Sequence, residues 1–431
     1  VSSAPNARRV VHRVLTGFDS GRVQRIGQGL ETSGLVGRDL AFARELAFGV
    51  VRRRRLLDFA LEGWMPRGLP RDPNILCALR MGSYQLAFMD TPPHAAVDEA
   101  VRLLRPDKRR VVNAVLRRLA ESVVPERPVE GSSVALPDGR FLRLETALPS
   151  DTIDQRALIH SLPRFLVRRW TERLGPEAAE RICVASVAVP PLHLRRTARA
   201  DDTWIERLQA SGVECERVDG PDLARVRGGS SPFDTSAFRD GWFVAQDPTA
   251  VAAGRALGAR PGERVIDFCA APGTKTTLLA DAVGPDGEVW AFDPHEARRR
   301  SIQDNTERLG QSWVRIVDSS TELPSDVDRV LVDAPCSNTG VLGRRIEVRE
   351  RIDPEAIATM AKKQTEILSQ AARHVRRGGT LVYSTCSLER EENEEVVATL
   401  PDEFAVEDEV TSLPVAGEHD GGYFARLVRT A

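Results

Sequence analysis

The stretch Val265-Ile266-Asp267-Phe268-Cys269-Ala270-Ala271-Pro272-Gly273-Thr274-Lys275-Thr276 sets the architecture of this chain. It reads as an apolar strand, a loop of small residues and the start of a helix. Small residues let a ligand approach the backbone, and a helix N-terminus offers free N–H groups and positive potential. A phosphate-binding P-loop is excluded, because Thr274 separates Gly273 from Lys275, and the G-x-G-x-x-G dinucleotide fingerprint is absent. From here on, apolar runs alternate with helical stretches. Strands are predicted at 264–268, 288–292, 313–317, 329–333 and 380–384, with a long helix near 353–376. That alternation specifies a doubly wound parallel sheet, a Rossmann-like domain over 241–431. Residues 404–407 and 423–429 are expected to add antiparallel edge strands.

The preceding half has a different period. Over 7–122, apolar residues recur at helical spacing, as in Val10, Val11, Val14 and Leu15 or Val112, Val115, Leu116 and Leu119. Breaks at Ser33-Gly34, Pro66 to Pro73, Thr91-Pro92-Pro93 and Pro106-Asp107 divide this region into an all-α module of five to seven helices. In 123–150, two short apolar runs flank Pro137-Asp138-Gly139, good turn chemistry for a β-hairpin linker or insertion. Residues 151–240 mix helix and strand as a small α+β middle region. The fold class expected is therefore α + α/β.

Charge separates the halves again. Residues 1–122 carry 21 basic against 12 acidic side chains, a surplus of nine. The net charge of −2 then leaves eleven negative charges in excess on the rest. An Arg-rich helical module is a candidate polyanion binder. The acidic run 389–395 reads as a solvated helix start. No apolar run reaches the ~18–20 residues of a membrane span. Residues 1–9 lack the apolar core of a secretion signal. Six cysteines are too few for a disulfide scaffold. A cytoplasmic protein with reduced thiols is expected. No long exposed apolar stripe is evident, which points to a monomer.

Asp267, Asp293 and Asp318 each stand at a predicted strand end. An acidic residue after the second strand of such a fold meets ribose hydroxyls, and one after the third can reach an adenine amino group. Three together favour a nucleoside ligand. Two later motifs, Asp333-Ala334-Pro335-Cys336-Ser337-Asn338-Thr339-Gly340 and Tyr383-Ser384-Thr385-Cys386-Ser387, complete a pattern with the 265–276 segment. This pattern resembles the RNA cytosine-C5 methyltransferases. Gln246-Asp247-Pro248-Thr249-Ala250 and Asp420-Gly421-Gly422-Tyr423-Phe424-Ala425 look like the segments that open and close that family's catalytic domain. Upstream, residues 39–46, 92–101 and 112–118 resemble the antitermination-factor-type (NusB-like) helical domain of members that act on 16S ribosomal RNA.

The resemblance implies S-adenosyl-L-methionine as cofactor, held by Cys269, Ala270, Ala271, Pro272, Gly273, Thr274, Lys275, Asp293, Asp318 and Asp333. It implies Cys386 as nucleophile, Cys336 as the group that assists release, Asp333 as the holder of the base and Lys275 as the brace of that carboxylate. Such chemistry needs these groups. The C5 carbon of cytosine attacks a methyl sulfonium only after a thiolate has added at C6. The implied partner is RNA, gripped by the helical module largely through phosphates. The same chemistry on transfer RNA or 23S ribosomal RNA, and a non-catalytic RNA-binding or antitermination-type factor, are the alternatives. Zinc is not expected, since no C-x-x-C pair or nearby His supplies four ligands. A Cys336–Cys386 disulfide is not expected in a reducing cytosol. Cys77, Cys183 and Cys215 read as core. Two departures from the family pattern stand out: Thr274 replaces a glycine, threatening loop geometry because threonine disfavours positive φ. After Gly340, the usual R-H-P-D is replaced by a run whose Arg344, Arg345 and Arg349 are expected to meet phosphate.

Overall fold

The computed structural model describes residues 6–128, 131–218 and 220–430. The opening residues 1–5, read above as lacking an apolar leader, lie outside them. The chain divides into two compact units. The first comprises Val1–Val187 with Arg349–Arg351, the second Ala188–Val348 with Ile352–Ala431.

In the first unit, seven α-helices lie between Ala7 and Ser122. Their apolar stripes build its core. Helix Ala7–Asp19 buries Val10, Val11, Val14 and Leu15 and is capped by Asn6, whose side chain accepts from the Arg9 N–H. Helix Pro73–Phe88 is buried on every side from Cys77 to Ala87. Asp72 caps it, with Pro73 at the first turn, where its missing N–H costs nothing. The buried Arg80 on this helix pairs with Asp58 at 2.7 Å and Asp19 at 3.1 Å, so its charge is compensated. A small antiparallel sheet follows, with β1 (Val123–Val124) and β2 (Ser132–Ala135) on either side of β3 (Phe141–Leu144). Leu136, Leu142 and Leu144 join the helical core.

Residues 151–240, read from sequence as one middle region, are shared between the units. Helices Thr152–Ile159, Arg164–Leu174 and Pro176–Val187 belong to the first. There Ser161 accepts from the Leu56 N–H at 3.3 Å and Trp170 is fully buried. The remainder belongs to the second unit. It supplies a four-stranded antiparallel sheet of β4 (Leu192–Arg196), β5 (Val213–Arg217), β6 (Leu223–Gly229) and β7 (Phe243–Ala245), in the order β5-β6-β4-β7.

The principal sheet of the second unit has seven strands: β8 (Arg264–Phe268), β9 (Glu288–Phe292), β10 (Val314–Val317), β11 (Val327–Asp333), β12 (Val375–Thr385), β13 (Phe404–Ser412) and β14 (Gly422–Arg429). Their order is β10-β9-β8-β11-β12-β14-β13. The first five are parallel; β14 runs antiparallel to β12 and β13. The core strands are apolar at successive positions because both faces are covered. Ile266, Val330, Val332, Leu381 and Tyr383 face the core shared with helix Pro354–Ala372. Val265, Leu331 and Val382 face Leu278 and Leu279 of helix Thr274–Val283. One expectation needs correcting: of the two antiparallel strands, only β13 lies at an edge. β14 is interior, bonded on both sides, which explains why Ala425 and Leu427 are buried.

Candidate active site

The chain leaves β8 for β9 and β10 on one side, then crosses to β11 on the other. That reversal opens a crevice at the carboxyl ends of β8 and β11, the position where such sheets take ligands. Every group singled out from sequence in β8, β11 and β12 stands at these ends.

From β8 comes Asp267, fully buried. Its Oδ2 accepts from Thr276 Oγ1 at 2.6 Å, while Oδ1 has no protein partner. Burial pushes its pKa up to about 7 against that hydrogen bond. The loop Cys269–Gly273 then turns onto the helix. Cys269 and Ala270 both donate N–H to the Phe292 carbonyl, at 3.0 and 2.9 Å, and Gly273 donates to Ala270. Positive φ falls on Cys269 (78°) and Gly273 (97°). A side chain at Gly273 would lie 3.0 Å from the Ile302 Cα. Thr274 is the first residue of the helix itself, so the strain expected from replacing glycine there does not arise. The Cys269 thiol is pushed up by burial, in keeping with a structural position.

Asp293 and Asp318 follow β9 and β10. Asp293 is buried and accepts from the His295 N–H at 2.9 Å. Asp318 is exposed, 3.4 Å from Arg299, whose other nitrogen donates to the Asp293 carbonyl at 2.9 Å. One arginine thus ties the two strand ends together.

From β11 and β12 come the reactive-looking groups. The register pairs Asp333 with Ser384. Asp333 Oδ1 accepts from Ser384 Oγ at 3.0 Å, and its Oδ2 lies 2.7 Å from Lys275 Nζ. Beyond the strands, Cys336 Sγ and Cys386 Sγ stand 3.1 Å apart, both as free thiols. Cys336 is buried and Cys386 partly open. The contact with Cys386 first, and burial second, raise the proton affinity of Cys336 well above that of a free thiol. Cys77 and Cys183 are buried in the first unit, where burial pushes both thiols up to about 12; Cys215 is buried in the second.

Several groups at the site went unnoticed in the sequence. Asn338, in the left-handed region at φ 63°, donates from Nδ2 to the Cys336 carbonyl at 2.6 Å and accepts from Cys386 at 3.4 Å. Its place inside the first cysteine motif was the available signal. The acidic run 389–395 is not a solvated helix: Glu389 and Glu392 are buried, in or beside the turn Arg390–Glu392. Arg344 is not free for phosphate. It pairs with Asp420 and, at 3.1 Å, with Asp247, so it joins the opening and closing motifs. Arg349 is fully buried and donates to the carbonyls of Arg52 and Ser186. Of the three arginines, Arg345 alone is exposed.

A family model for "16S rRNA methyltransferase RsmB/F" matches residues 255–426, and one for the NusB family matches 5–121. Ribosomal RNA small subunit methyltransferase B of Klebsiella pneumoniae is 32% identical over 417 residues, which cover 91% of this chain and 90% of that protein. The chain belongs to the RsmB/F family. Among solved structures, that of PH0851 aligns over 99% of both chains with TM-score 0.78 at 22% identity. A methyltransferase homologue from Pyrococcus horikoshii aligns over 66% of this chain and all of its own, with TM-score 0.57 at 27% identity. RsmB/F proteins are S-adenosylmethionine-dependent methyltransferases. The crevice fits that cofactor: the unpartnered buried Oδ1 of Asp267 and the buried Asp293 are the groups a nucleoside bearing a cation needs. Among the described residues no helix is long and apolar enough to cross a membrane, and no group of three or more His, Cys, Asp or Glu is placed to hold a metal ion.

Proposed function

We propose that the chain methylates C5 of a cytosine in 16S ribosomal RNA through a transient bond between Cys386 and C6 of the base. The 3.1 Å approach of two free thiols, beside the Asp333–Lys275 pair, carries this reading. Cys269 to Lys275, Asp293, Asp318 and Asp333 line the cofactor's side. Cys386 is the more open sulfur and takes the role of nucleophile. Its thiolate adds to C6, and the C5–C6 electron pair moves to C5. Asp333 accepts from the exocyclic amino group, which selects cytosine, and the Lys275 ammonium behind it offsets the electron density the ring gains. S-adenosylmethionine supplies the methyl group as an electrophile. The C5 proton then leaves, its electron pair restores the ring double bond, and Cys386 departs as a thiolate. Raised proton affinity keeps Cys336 a thiol, so the C5 proton passes to a solvent base, and Cys336, 3.1 Å from the departing sulfur, assists its release. The target base must leave its stack to reach the sulfur. The Arg-rich helices of the first unit supply salt-sensitive phosphate contacts.

The test is transfer of labelled methyl to 16S ribosomal RNA, with bisulfite sequencing to locate the product. Cys386→Ser abolishes transfer. Cys336→Ser accumulates a covalent RNA–protein adduct. Full turnover by Cys386→Ser overturns the assignment of the nucleophile. Cofactor binding without transfer to any RNA overturns the enzymatic reading in favour of a binding factor.

A further inference from the structure

Glu392 has no role in the chemistry above, yet it touches both cysteine loops. Its Oε1 accepts from the Ser337 backbone N–H at 2.8 Å and from Gln364 Nε2 at 3.0 Å. Its Oε2 accepts from the Ser337 hydroxyl and, at 2.5 Å, from the Ser387 hydroxyl. Ser337 follows Cys336 in the chain, and Ser387 follows Cys386. The two serine hydroxyls are themselves 3.2 Å apart. A single carboxylate therefore bonds the neighbour of each sulfur.

An ionised carboxylate has about four lone-pair sites, and four donors fill them here. Bonds of this kind are about twice as strong as neutral ones. The turn that carries Glu392 is fixed as well. Its carbonyl accepts from Tyr383 OH at 2.6 Å, and the next residue, Asn393, bonds Thr385 at 2.6 Å and the Ser387 carbonyl at 3.0 Å. The parallel ladder fixes β11 and β12 only as far as Asp333 and Ser384. Neighbouring strands alone would hold the two loops at ~4.8 Å; beyond the ladder the Gly340 N–H also bonds the Cys386 carbonyl at 2.9 Å and the Leu388 N–H bonds Thr339 Oγ1 at 2.8 Å. Bringing two sulfurs closer than this needs a bond from loop to loop. The hydroxyls and carboxylate at Ser337, Ser387 and Glu392 supply the bonds that join the residues next to both sulfurs.

We propose that Glu392 is a positioning residue that clamps the Cys336 and Cys386 loops together and sets the separation of their sulfurs. The proposal rests on these two cysteines being the reacting pair. A glutamine at this position keeps the volume but turns an NH2 group towards donors, so the clamp loses bonds on one side.

The experiment uses the full chain as wild type, Glu392→Gln, and the pair Ser337→Ala with Ser387→Ala. Each is measured for kcat and KM with 16S ribosomal RNA, for cofactor affinity, for melting temperature, and for capture of phenylarsine oxide, which needs two thiols close enough to bridge. Glu392→Gln is expected to lower kcat and arsenical affinity at least tenfold, with KM and cofactor affinity within twofold of wild type. Should Glu392→Gln fail to bind cofactor, the double serine variant carries the test. It leaves the carboxylate in place, removes only two hydroxyls, and is expected to show the same split. Wild-type kcat and arsenical affinity in both variants overturn the proposal. A loss spread over melting and cofactor affinity, with arsenical capture intact, also overturns it. If the wild type transfers no methyl to RNA cytosine while arsenical capture still falls in the variants, the clamp stands and the reaction assigned above fails.

Discussion

Gly340→Ala tests how tightly the backbone holds the second sulfur. Gly340 donates its N–H to the Cys386 carbonyl at 2.9 Å and accepts from the Gly421 N–H at 2.8 Å. Three segments that are far apart in sequence thus meet at one residue with no side chain. A methyl group there would lie 2.7 Å from both the carbonyl carbon and oxygen of Gly421 and 2.9 Å from the Cys386 oxygen. All three atoms are main chain, so no rotamer can relieve the contact. The φ of Gly340 is not positive, so the torsion itself suits alanine and the effect is purely steric. Ordinary carbon contacts lie at ~3.5–4.0 Å. The segments must therefore part by roughly 0.5–1 Å, since the crowding comes from two sides. Overpacking of this kind costs about 1–3 kcal/mol of stability. A displacement near 1 Å of a reacting group costs about a hundredfold in rate. The assay is kcat/KM for methyl transfer alongside a melting curve. Gly27→Ala is the control, because its nearest neighbour is one ring carbon of Phe48 at 3.6 Å and it lies in helix Ile26–Glu31. There alanine should stabilise by up to about 1 kcal/mol with activity unchanged. Near wild-type transfer by Gly340→Ala would refute the reasoning, because the main chain could then part without moving the Cys386 sulfur.

Two pH effects follow from buried or paired carboxylates. Asp267 binds its proton more tightly folded than unfolded, so its contribution favours the folded state at low pH and is lost as pH rises from about 4 through about 7. Asp267→Asn should remove that slope, worth at most about 4 kcal/mol, from melting temperature against pH; an unchanged slope counts against a buried, titrating Asp267. Glu180 is the opposite case. The His160 hydrogen bond first, and Arg156 after it, hold its pKa down to about 2 despite partial burial. Its stabilisation is present above pH ~4.5 and is lost as pH falls towards 2. Solvent screening of a half-exposed carboxylate limits it to about 1 kcal/mol. Glu180→Gln should therefore melt lower than wild type at pH 6 and approach it only as pH falls to about 2.

The parallel core of the sheet was legible because strands buried on both faces read as unbroken apolar runs, and Val265-Ile266 or Val330-Leu331-Val332 cannot be mistaken for loop. The crevice was legible because short motifs at three strand ends each carry a residue whose chemistry is recognisable alone: Lys275, Asp333, Cys336 and Cys386. What escaped depends on partners distant in sequence. The interior place of β14 is a matter of strand order, which no local period encodes. Glu392 sits in a run of charged residues that looks solvated, and partners as distant as Ser337 and Gln364, 55 and 28 residues away, help make it internal. Arg344 looked like a phosphate ligand because Asp247 and Asp420 lie far along the chain. The 151–240 region was read as one piece because its mixture of helix and strand gave no sign that Trp170 and Leu194 pack into different cores.

The interior position of β14 has a consequence for how the molecule comes into being. Residues 422–429 are synthesised after every other part of the crevice, yet they must slot between β12 and β13 and carry Gly421 against the Gly340 turn. Until they emerge from the ribosome, one side of β12 has no partner and the loop bearing Cys386 lacks its neighbour. A nascent chain therefore exposes Cys386 on an unfinished scaffold, and the crevice is complete only once β14 has been translated.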